Sequence, residues 1–422
     1  MVRAKSDDAD GGDRCTLDDG LRSLPRPGGG RRRCLKGAWC MTVVDDGAFS
    51  GFAERARQRL PRLFADYVDG GAHGERSMVR NRAAFGKWGV VPRGLRDVSR
   101  IETGVRCFGQ DWAAPIMLAP VGFAGMLHSD RETGAARAAK RSGAGFAVST
   151  FSIDAMEDVA AVGGKPFAQI YVFRDRDLTR DMLARAASCG IEGIIVTIDT
   201  AITPVRERDV RNGFRHLARP SVRQLIGLAG RPRWSAGMLK HGMPLIGNLR
   251  PYTIVRGVMG QAREMAAQID PTLDQAGLEW LRSEWKGQLV VKGVMHPDDA
   301  RLSLDAGADG LIVSNHGGRQ MDPSPATIEV LPRIAEVVGG RADIVLDSGI
   351  RRGGDVVTAL ALGATAVSVG RPWAWALAAD GERGVVSAIE TLTQEVRDVL
   401  GLAGLRDIAS LRAAGPCALW RM

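Results

Sequence analysis

The sequence predicts an α/β fold, a (β/α)8 TIM barrel with an N-terminal helical extension and a long insert after the fourth strand. From about residue 115, short apolar runs alternate with helix-length stretches rich in Ala, Arg and Leu. There are eight such runs, which is the number that closes this barrel. Polar residues stand at the carboxyl end of nearly every run, and a closed barrel brings those ends together on one face.

The eight apolar runs are the expected strands. Each is a nearly continuous apolar segment, as is typical of parallel strands that helices cover. They span residues 115–122, 145–150, 167–172, 193–199, 288–293, 310–315, 343–349 and 366–371. An open doubly wound sheet is the alternative, but it would distribute the polar strand ends along an edge.

The first 40 residues differ from the rest of the chain. They carry nine basic and six acidic side chains and show no hydrophobic period, so we expect residues 1–40 to be a disordered tail. Met41 opens a segment with apolar residues at helical spacing, and an overlong gene start would explain the tail. Residues 41–422 are expected to form a single barrel domain.

The connection between the fourth and fifth strands contains a basic insert. It spans roughly residues 200–287, far more than an ordinary loop. Residues 210–263 hold ten Lys or Arg and no Asp or Glu, so the formal charge of +9 comes from this insert and the tail. The insert is predicted to be mobile. Cations interleaved with Leu, Ile and Trp favour peripheral membrane contact through residues 215–260, and a lid over the active site is the alternative.

Composition limits the remaining function classes. Hydrophobic residues make up 45% and charged residues 25% of the chain, as in a globular protein, and no apolar run reaches about eighteen residues. The six cysteines form no C-x-x-C pair, which favours a reducing cytoplasm. If the basic insert contacts a membrane, we expect the contact at the inner face of the cell membrane. Nucleic acid is not an expected partner, because the insert has few aromatics and the rest of the chain is mildly acidic.

The segment S-N-H-G-G-R-Q (314–320) follows the sixth strand and carries the clearest chemistry. Histidine titrates near neutrality and suits proton abstraction, so His316 is a candidate base. Arg319 can hold a carboxylate by a bidentate pair, and the glycines between them would let a ligand approach the backbone. No two histidines stand at metal-ligand spacing, so no metal site is expected.

Glycine-rich loops with arginines follow the seventh and eighth strands, at Arg351 and Arg371. Phosphate sites of barrels often lie there. Lys292 ends an apolar strand, where a buried cation needs an anionic partner or a lowered pKa. A Schiff-base nucleophile and an electrostatic partner of an anionic cofactor both fit this position.

These motifs together resemble the FMN-dependent α-hydroxy-acid oxidising enzymes, most of all the mandelate and L-lactate dehydrogenases. The resemblance covers roughly residues 47–411. Its motifs are LPRLFADYVDGGA (60–72), QIYV (169–172), VTIDT with RERDVRNGF (196–214), VVKGV (290–294), SNHGGRQMD (314–322) and DSGIRRGGDVVTALALGA (347–364).

The resemblance implies a role for each matching position. His316 would be the base and Asp199 would support its protonated form, while Arg319, Arg206, Tyr67 and Tyr171 would bind the substrate. Lys292 would stabilise negative charge on the reduced flavin, which argues against a Schiff base. The implied FMN contacts are Pro120, Val121, Gly122, Ser149, Gln169, Thr197, Lys292, Ser314, Asp347, Gly349, Arg351, Gly370 and Arg371.

The implied reaction is the oxidation of an (S)-2-hydroxy acid to a 2-oxo acid, with electrons passing to a membrane quinone or similar acceptor. A soluble oxidase that uses O2 and produces hydrogen peroxide is the alternative. The resemblance also implies a homotetramer. Some positions depart from the family pattern: A-P-V-G (119–122) lacks the usual Thr, and Ala201, Ile202 and Thr203 replace a Pro-Arg pair.

Overall fold

The computed structural model describes residues 47–214, 227–239, 244–252 and 257–422. The predicted tail, residues 1–40, lies outside the described residues. So do three stretches of the insert, residues 215–226, 240–243 and 253–256.

Eight parallel strands of the described chain close into a barrel. Each strand pairs with the next along the chain, and the last returns to the first, where Val367 lies beside Ile116. The strands are β1 (Ile116–Leu118), β2 (Gly145–Val148), β3 (Phe167–Ile170), β4 (Gly193–Thr197), β5 (Gln288–Val294), β6 (Gly310–Val313), β7 (Asp343–Asp347) and β8 (Ala366–Val369). The predicted (β/α)8 barrel is confirmed. Seven predicted runs contain a strand, and the run 288–293 matches β5 except for its last residue, Val294.

Helices cover the barrel because the connections carry apolar residues at helical spacing. Thr327–Val338, for example, buries Ile328, Leu331 and Ile334. The helix Arg371–Leu402 is kinked at Asp380 and Gly381. The remaining helices that follow barrel strands are Arg131–Ser142, Met156–Ala161, Arg176–Ser188, Glu207–Asn212, Pro232–Leu239, Val258–Ala266, Gln275–Glu284, Pro297–Asp305 and Gly353–Ala361, with 3-10 turns at Ala124–Met126 and Gly247–Tyr252.

Segments at both chain ends complete the domain. The N-terminal extension consists of the helices Ser50–Arg59, Arg62–Asp69 and Arg76–Ala83, with 3-10 turns at Gly47–Phe49 and Ala84–Lys87. Its strand Trp88–Val90 pairs antiparallel with Leu419–Arg421, which follows helix Ile408–Ala414 and the 3-10 turn Gly415–Ala418. No helix of the described ranges is long and apolar enough to span a membrane.

The barrel interior is apolar at its amino end. A hairpin of Val105–Cys107 and Gln110–Trp112 closes this end, where Phe108 packs against Trp112 and Phe167. The cluster beneath it is made of buried strand residues: Met117, Ala147, Ile195, Val290, Ile312, Val345 and Ala366. Hydrocarbon therefore fills this half of the barrel, and any polar cavity must lie at the other end.

The described parts of the basic insert pack against the carboxyl face of the barrel. The Trp234 indole donates to the Met126 carbonyl at 2.8 Å and lies 5.0 Å from the Phe64 ring. The Asn248 side chain donates to the Ser149 carbonyl at 2.9 Å and accepts from the Met156 N–H at 2.6 Å. These bonds join the insert to the loops that follow β1 and β2.

Candidate active site

His316 and Asp199 form a hydrogen-bonded pair after β6 and β4. The His316 Nδ1 lies 3.1 Å from Asp199 Oδ1. Ser314 Oγ accepts the His316 backbone N–H at 3.0 Å, while His316 holds a φ of 59°, in the left-handed region. With Nδ1 engaged by Asp199, Nε2 is the ring nitrogen that is available to a ligand in the cavity that His316 lines.

The protonation states of this pair suit a general base. Burial lowers the pKa of His316 below its usual value, although Asp199 acts in the opposite direction. Burial opposes ionisation of Asp199, but His316 and Lys292 lower the pKa of Asp199 overall. At neutral pH the imidazole is therefore neutral and the carboxylate ionised, and the carboxylate can stabilise the imidazolium that forms when His316 accepts a proton.

Two guanidinium groups line the same cavity as His316. Arg319 Nη1 donates to the carbonyls of Tyr67 and Gly70, at 2.6 Å and 2.9 Å, whereas its buried Nη2 has no hydrogen-bond partner among the described residues. The buried Nε of Arg206 likewise has no partner there. Burial and the nearby Arg319 lower the pKa of Arg206 to about 10. Two close cations with unmatched buried donors can bind a carboxylate.

Two tyrosine hydroxyls border this anion site. The Tyr67 hydroxyl donates to the Gly122 carbonyl at 3.0 Å, and burial raises the pKa of Tyr67. Burial and the neighbouring Asp199 raise the pKa of Tyr171. Both phenols are therefore protonated at neutral pH. The Tyr171 hydroxyl can donate to a ligand oxygen, and the Tyr67 hydroxyl can do so if it releases the Gly122 carbonyl.

Polar side chains from neighbouring strands form the floor of the cavity. Lys292 Nζ donates to Ser314 Oγ at 3.0 Å and lies 3.6 Å from Asp347, to which Ser314 donates at 2.5 Å. The Gln169 amide donates to Thr197 Oγ1 at 3.1 Å and accepts from Ser149 at 3.3 Å. This floor offers a planar ligand a cation and several hydrogen-bonding groups.

The glycine-rich loops after β7 and β8 border the cavity beyond this floor. Gly349 has a φ of 96°, and a Cβ there would lie 2.3 Å from the Asn81 carbonyl oxygen, so only glycine fits. Gly370, Arg351 and Arg371 line the same region. The loops leave room for a ligand beside two cations.

Arg371, the predicted phosphate ligand, also bonds to backbone carbonyls of the N-terminal extension. Its guanidinium donates to the carbonyls of Val68, Gly317 and Gly70, at 3.0, 2.9 and 2.7 Å. Burial and the nearby Arg319 and Arg351 lower the pKa of Arg371 to about 9. In this structure Arg371 therefore also joins the N-terminal extension to the barrel.

Gly318, after His316, has a packing role that the sequence did not indicate. Gly318 has a φ of 75°, and a Cβ there would lie 2.5 Å from the Met78 backbone nitrogen. The Gly318 carbonyl also accepts the Ala72 N–H at 2.9 Å. Gly318 therefore allows the N-terminal extension to pack closely against this loop. The sequence had predicted that the glycines would allow a ligand to approach.

The structure brings the residues predicted from the sequence to one face. Two joined cavities open there, with Tyr67, Lys292, His316 and Arg319 among the residues that line both. One has a volume of about 420 Å³, within the range of small-molecule sites. The predicted site residues line these cavities except Asp199 and Ser314, which lie behind His316 and Lys292.

Sequence reasoning missed several residues of the larger cavity. They are Phe123, Thr200, Thr203, Asp209, Phe214, Met259, Ala262, Arg263, Ala266, Ala267, Ile269 and Gln320. Most come from loops, which carry no strand-end signal. The apolar positions 259, 262 and 266 have helical spacing, but spacing alone does not show which way that face points.

Comparisons with known proteins agree with this architecture. A family profile described as FMN-dependent dehydrogenase matches residues 56–416. The L-lactate dehydrogenase of Caulobacter vibrioides is 42% identical over 364 residues, which cover 85% of this chain and 94% of the relative. The L-lactate dehydrogenase of Yersinia pestis is 36% identical over 370 residues, which cover 86% of this chain and 96% of the relative.

Solved structures give the same result. An (S)-mandelate dehydrogenase, described as a monotopic membrane protein, superposes with a TM-score of 0.84 at 35% identity and covers 89% of this chain and 99% of its own. A mandelate oxidase superposes with a TM-score of 0.74 at 36% identity, covering 86% of this chain and 96% of its own. The resemblance found in the motifs is confirmed: the chain belongs to the FMN-dependent dehydrogenase family, and its cofactor is FMN.

Proposed function

We propose that the protein oxidises an (S)-2-hydroxy acid to the corresponding 2-oxo acid. One observation carries this proposal: the buried, unmatched donors of Arg206 and Arg319 share a cavity with a neutral His316 that Asp199 supports. Such a site can hold a carboxylate and take a proton from the neighbouring carbon or its hydroxyl. The lactate and mandelate dehydrogenases among its relatives support this substrate class.

The residues present fit FMN. The glycine loops with Arg351 and Arg371 would hold its phosphate, and Lys292 on the polar floor would lie near the ring. The other proposed ring contacts are Pro120, Val121, Gly122, Ser149, Gln169 and Thr197, while Ser314 and Asp347 would orient Lys292. FMN, when bound, supplies the two-electron redox chemistry that the side chains of the protein lack.

The side chains of the protein bind and orient the substrate. Arg206 and Arg319 would hold its carboxylate. The protonated Tyr171 hydroxyl would donate to a substrate oxygen, and the Tyr67 hydroxyl would do so on exchanging the Gly122 carbonyl for the substrate. The proton that leaves the substrate would go to Nε2 of His316. Asp199 would then hold the imidazolium by its bond to Nδ1, which stabilises the charge while it exists.

The proposed electron acceptor is a membrane quinone or a similar carrier at the inner face of the cell membrane. The monotopic (S)-mandelate dehydrogenase and the lack of acids in residues 210–263 support membrane contact through residues 215–260. Replacing Arg215, Arg219, Arg223 and Lys240 of that segment by glutamine should move the protein to the soluble fraction with flavin still bound, and unchanged fractionation would contradict the contact. The predicted homotetramer and cytoplasmic location remain predictions.

The mandelate oxidase among the solved structures favours a second candidate, an oxidase that passes electrons to O2. The two candidates differ in how fast the reduced flavin reacts with air. Slow reoxidation in air with fast reoxidation by a quinone supports the dehydrogenase, and the reverse supports the oxidase.

Anaerobic titration of the purified, flavin-containing protein tests the proposed function. Addition of (S)-lactate, (S)-mandelate or glycolate should bleach the flavin absorbance. The function is wrong if the protein binds no flavin or if none of these acids bleaches it.

A further inference from the structure

One side of the cavity is apolar and aromatic, although Thr200, Thr203, Asp209, Arg263 and Gln320 also belong to the lining. Its walls include Phe123, Phe151 and Phe214, together with Met259, Ala262 and Ala266 of the helix Val258–Ala266, which we name the roof helix. The floor, by contrast, consists of polar strand ends. A ligand held at its carboxylate by Arg206 and Arg319 would thus meet hydrocarbon on another side.

The aromatic rings adjoin the proposed carboxylate site. The Phe214 ring stacks on Tyr67 at 4.7 Å and lies 6.0 Å from Phe123. The Arg319 guanidinium also lies over the Tyr67 ring, 4.7 Å from the ring centroid. The anion site and the aromatic wall therefore share Tyr67, so one small molecule can contact both.

The roof helix turns small side chains toward this space. Met259, Ala262 and Ala266 stand at positions i, i+3 and i+7, on one face of the helix, and all three line the cavity. Two of the three are alanines, and no atom of either extends beyond Cβ. The space next to them is available to a substrate side chain.

Hydrogen bonds fix the roof helix in place. The Gln261 side chain accepts the Ile246 N–H at 2.9 Å. Beyond the end of the helix, the Arg174 N–H donates to the Gln268 carbonyl at 2.8 Å and the Asp270 N–H to the Val172 carbonyl at 2.9 Å. The wall is therefore held at both ends and is preformed to accept a bulky group.

We propose that the site selects (S)-2-hydroxy acids with an aromatic side chain over (S)-lactate, and that the roof helix sets this preference through Ala262 and Ala266. This inference rests on the proposed function. The methyl group of lactate would leave the aromatic wall largely uncovered, whereas a phenyl group can pack against it edge to face.

The unmodified holoenzyme gives the first test. The kcat/KM for (S)-mandelate should exceed that for (S)-lactate by about 100-fold, because each additional buried carbon contributes roughly 0.8 kcal/mol, about fourfold, and only part of the phenyl ring contacts the wall. An equal or higher kcat/KM for (S)-lactate would overturn the inference.

Variants of the roof helix give the second test. Ala266→Leu, and separately Ala262→Leu, should lower the ratio of kcat/KM for (S)-mandelate to that for (S)-lactate at least about tenfold, since each leucine fills space that the phenyl group needs. Gln268→Leu is the matched control, because Gln268 is exposed and outside the cavity lining. Flavin content per protein shows that each variant is folded.

The outcomes separate the two proposals. If no 2-hydroxy acid bleaches the flavin, the proposed function fails. If (S)-lactate bleaches it as efficiently as (S)-mandelate, or if both leucine variants keep the ratio of the unmodified protein, the function stands and the aromatic selectivity is wrong.

Discussion

The two ends of the barrel are built from the same eight strands but differ in chemistry. At the amino end, Phe108 packs against Phe167 at 5.8 Å and the interior is hydrocarbon. At the carboxyl end, the interior holds the ion pair of Lys292 and Asp347 and the amide of Gln169. On most of the eight strands, the boundary between these two regions is a single step from an apolar to a polar inward-facing side chain.

That step is two residues, the spacing of side chains that point to the same face of a strand. Val290 and Lys292 are two residues apart, as are Ile312 and Ser314. The other pairs are Ala147 with Ser149, Phe167 with Gln169, Ile195 with Thr197, and Val345 with Asp347. The lower layer thus provides stability and the upper layer provides chemistry, so changes in the two layers should have separable effects.

The largest effect is expected for the proposed base. His316→Ala should lower kcat about 10⁴-fold, near the upper end of what a general base contributes. Flavin content and the free energy of unfolding should change little. His73→Ala is the control, because His73 is exposed and its side chain is outside the cavity lining. A loss of less than tenfold would show that His316 is not the base.

A change at the amino end of the barrel should lower stability and leave kcat unchanged, the reverse of the effect expected for His316→Ala. Phe108→Ala removes a buried ring and should lower the free energy of unfolding by about 4 kcal/mol, the usual cost of such a cavity, while kcat of the folded protein is retained. Denaturant unfolding measures the first and steady-state kinetics the second. Leu95→Ala, at a fully exposed position, should be neutral. If Phe108→Ala lowered kcat at full occupancy of the folded state, the two layers would not be independent.

A buried carboxylate near the carboxyl end should make stability depend on pH. Glu132 accepts the N–H groups of Gly125, Ile153 and Asp154, at 2.7, 3.1 and 3.1 Å, and so joins the loops after β1 and β2. Burial and the charge of Asp154 raise the pKa of Glu132 to about 7, although the three N–H groups act against this rise.

Because this pKa lies above its ordinary value of 4.5, the folded protein keeps a proton that the unfolded chain releases. The free energy of unfolding should therefore fall by about 3 kcal/mol as pH rises from the ordinary pKa to the raised one. Glu132→Gln lacks this fall, so its stability relative to the unmodified protein should improve with rising pH. Denaturant unfolding at several pH values measures it, with exposed Glu390→Gln as the control. Parallel curves would contradict the raised pKa.

The smallest effect is expected for the residue behind the base. Asp199→Asn should lower kcat by about 10²-fold, because the imidazolium loses its counter-charge. Asp199 raises the pKa of His316 against the effect of burial, so its removal lowers that pKa further. The acid limb of the kcat/KM profile, which reports loss of neutral His316, should therefore move to lower pH. A shift to higher pH would contradict this arrangement.

The eight strands and the upper layer could be predicted because both are local patterns. A continuous apolar run predicts where a strand lies. The inward-facing position that follows the last apolar one, such as Lys292 or Thr197, then predicts a site residue. The direction of the roof helix depends on bonds to distant loops, such as that of the Asp270 N–H with the Val172 carbonyl, which no local pattern encodes. The close packing that requires glycine at position 318 could not be predicted either, since its neighbour Met78 is far away in the sequence.

The contacts between the N-terminal extension and the late strands bear on the order in which the site is assembled. Arg319 and Arg371 both donate to carbonyls of residues 67–70, and Tyr67 supplies a wall of the cavity. The ribosome makes this extension before the barrel, and its partners emerge roughly 250 to 300 residues later. A nascent chain that stops before Arg371 therefore has a partial barrel with an incomplete active site.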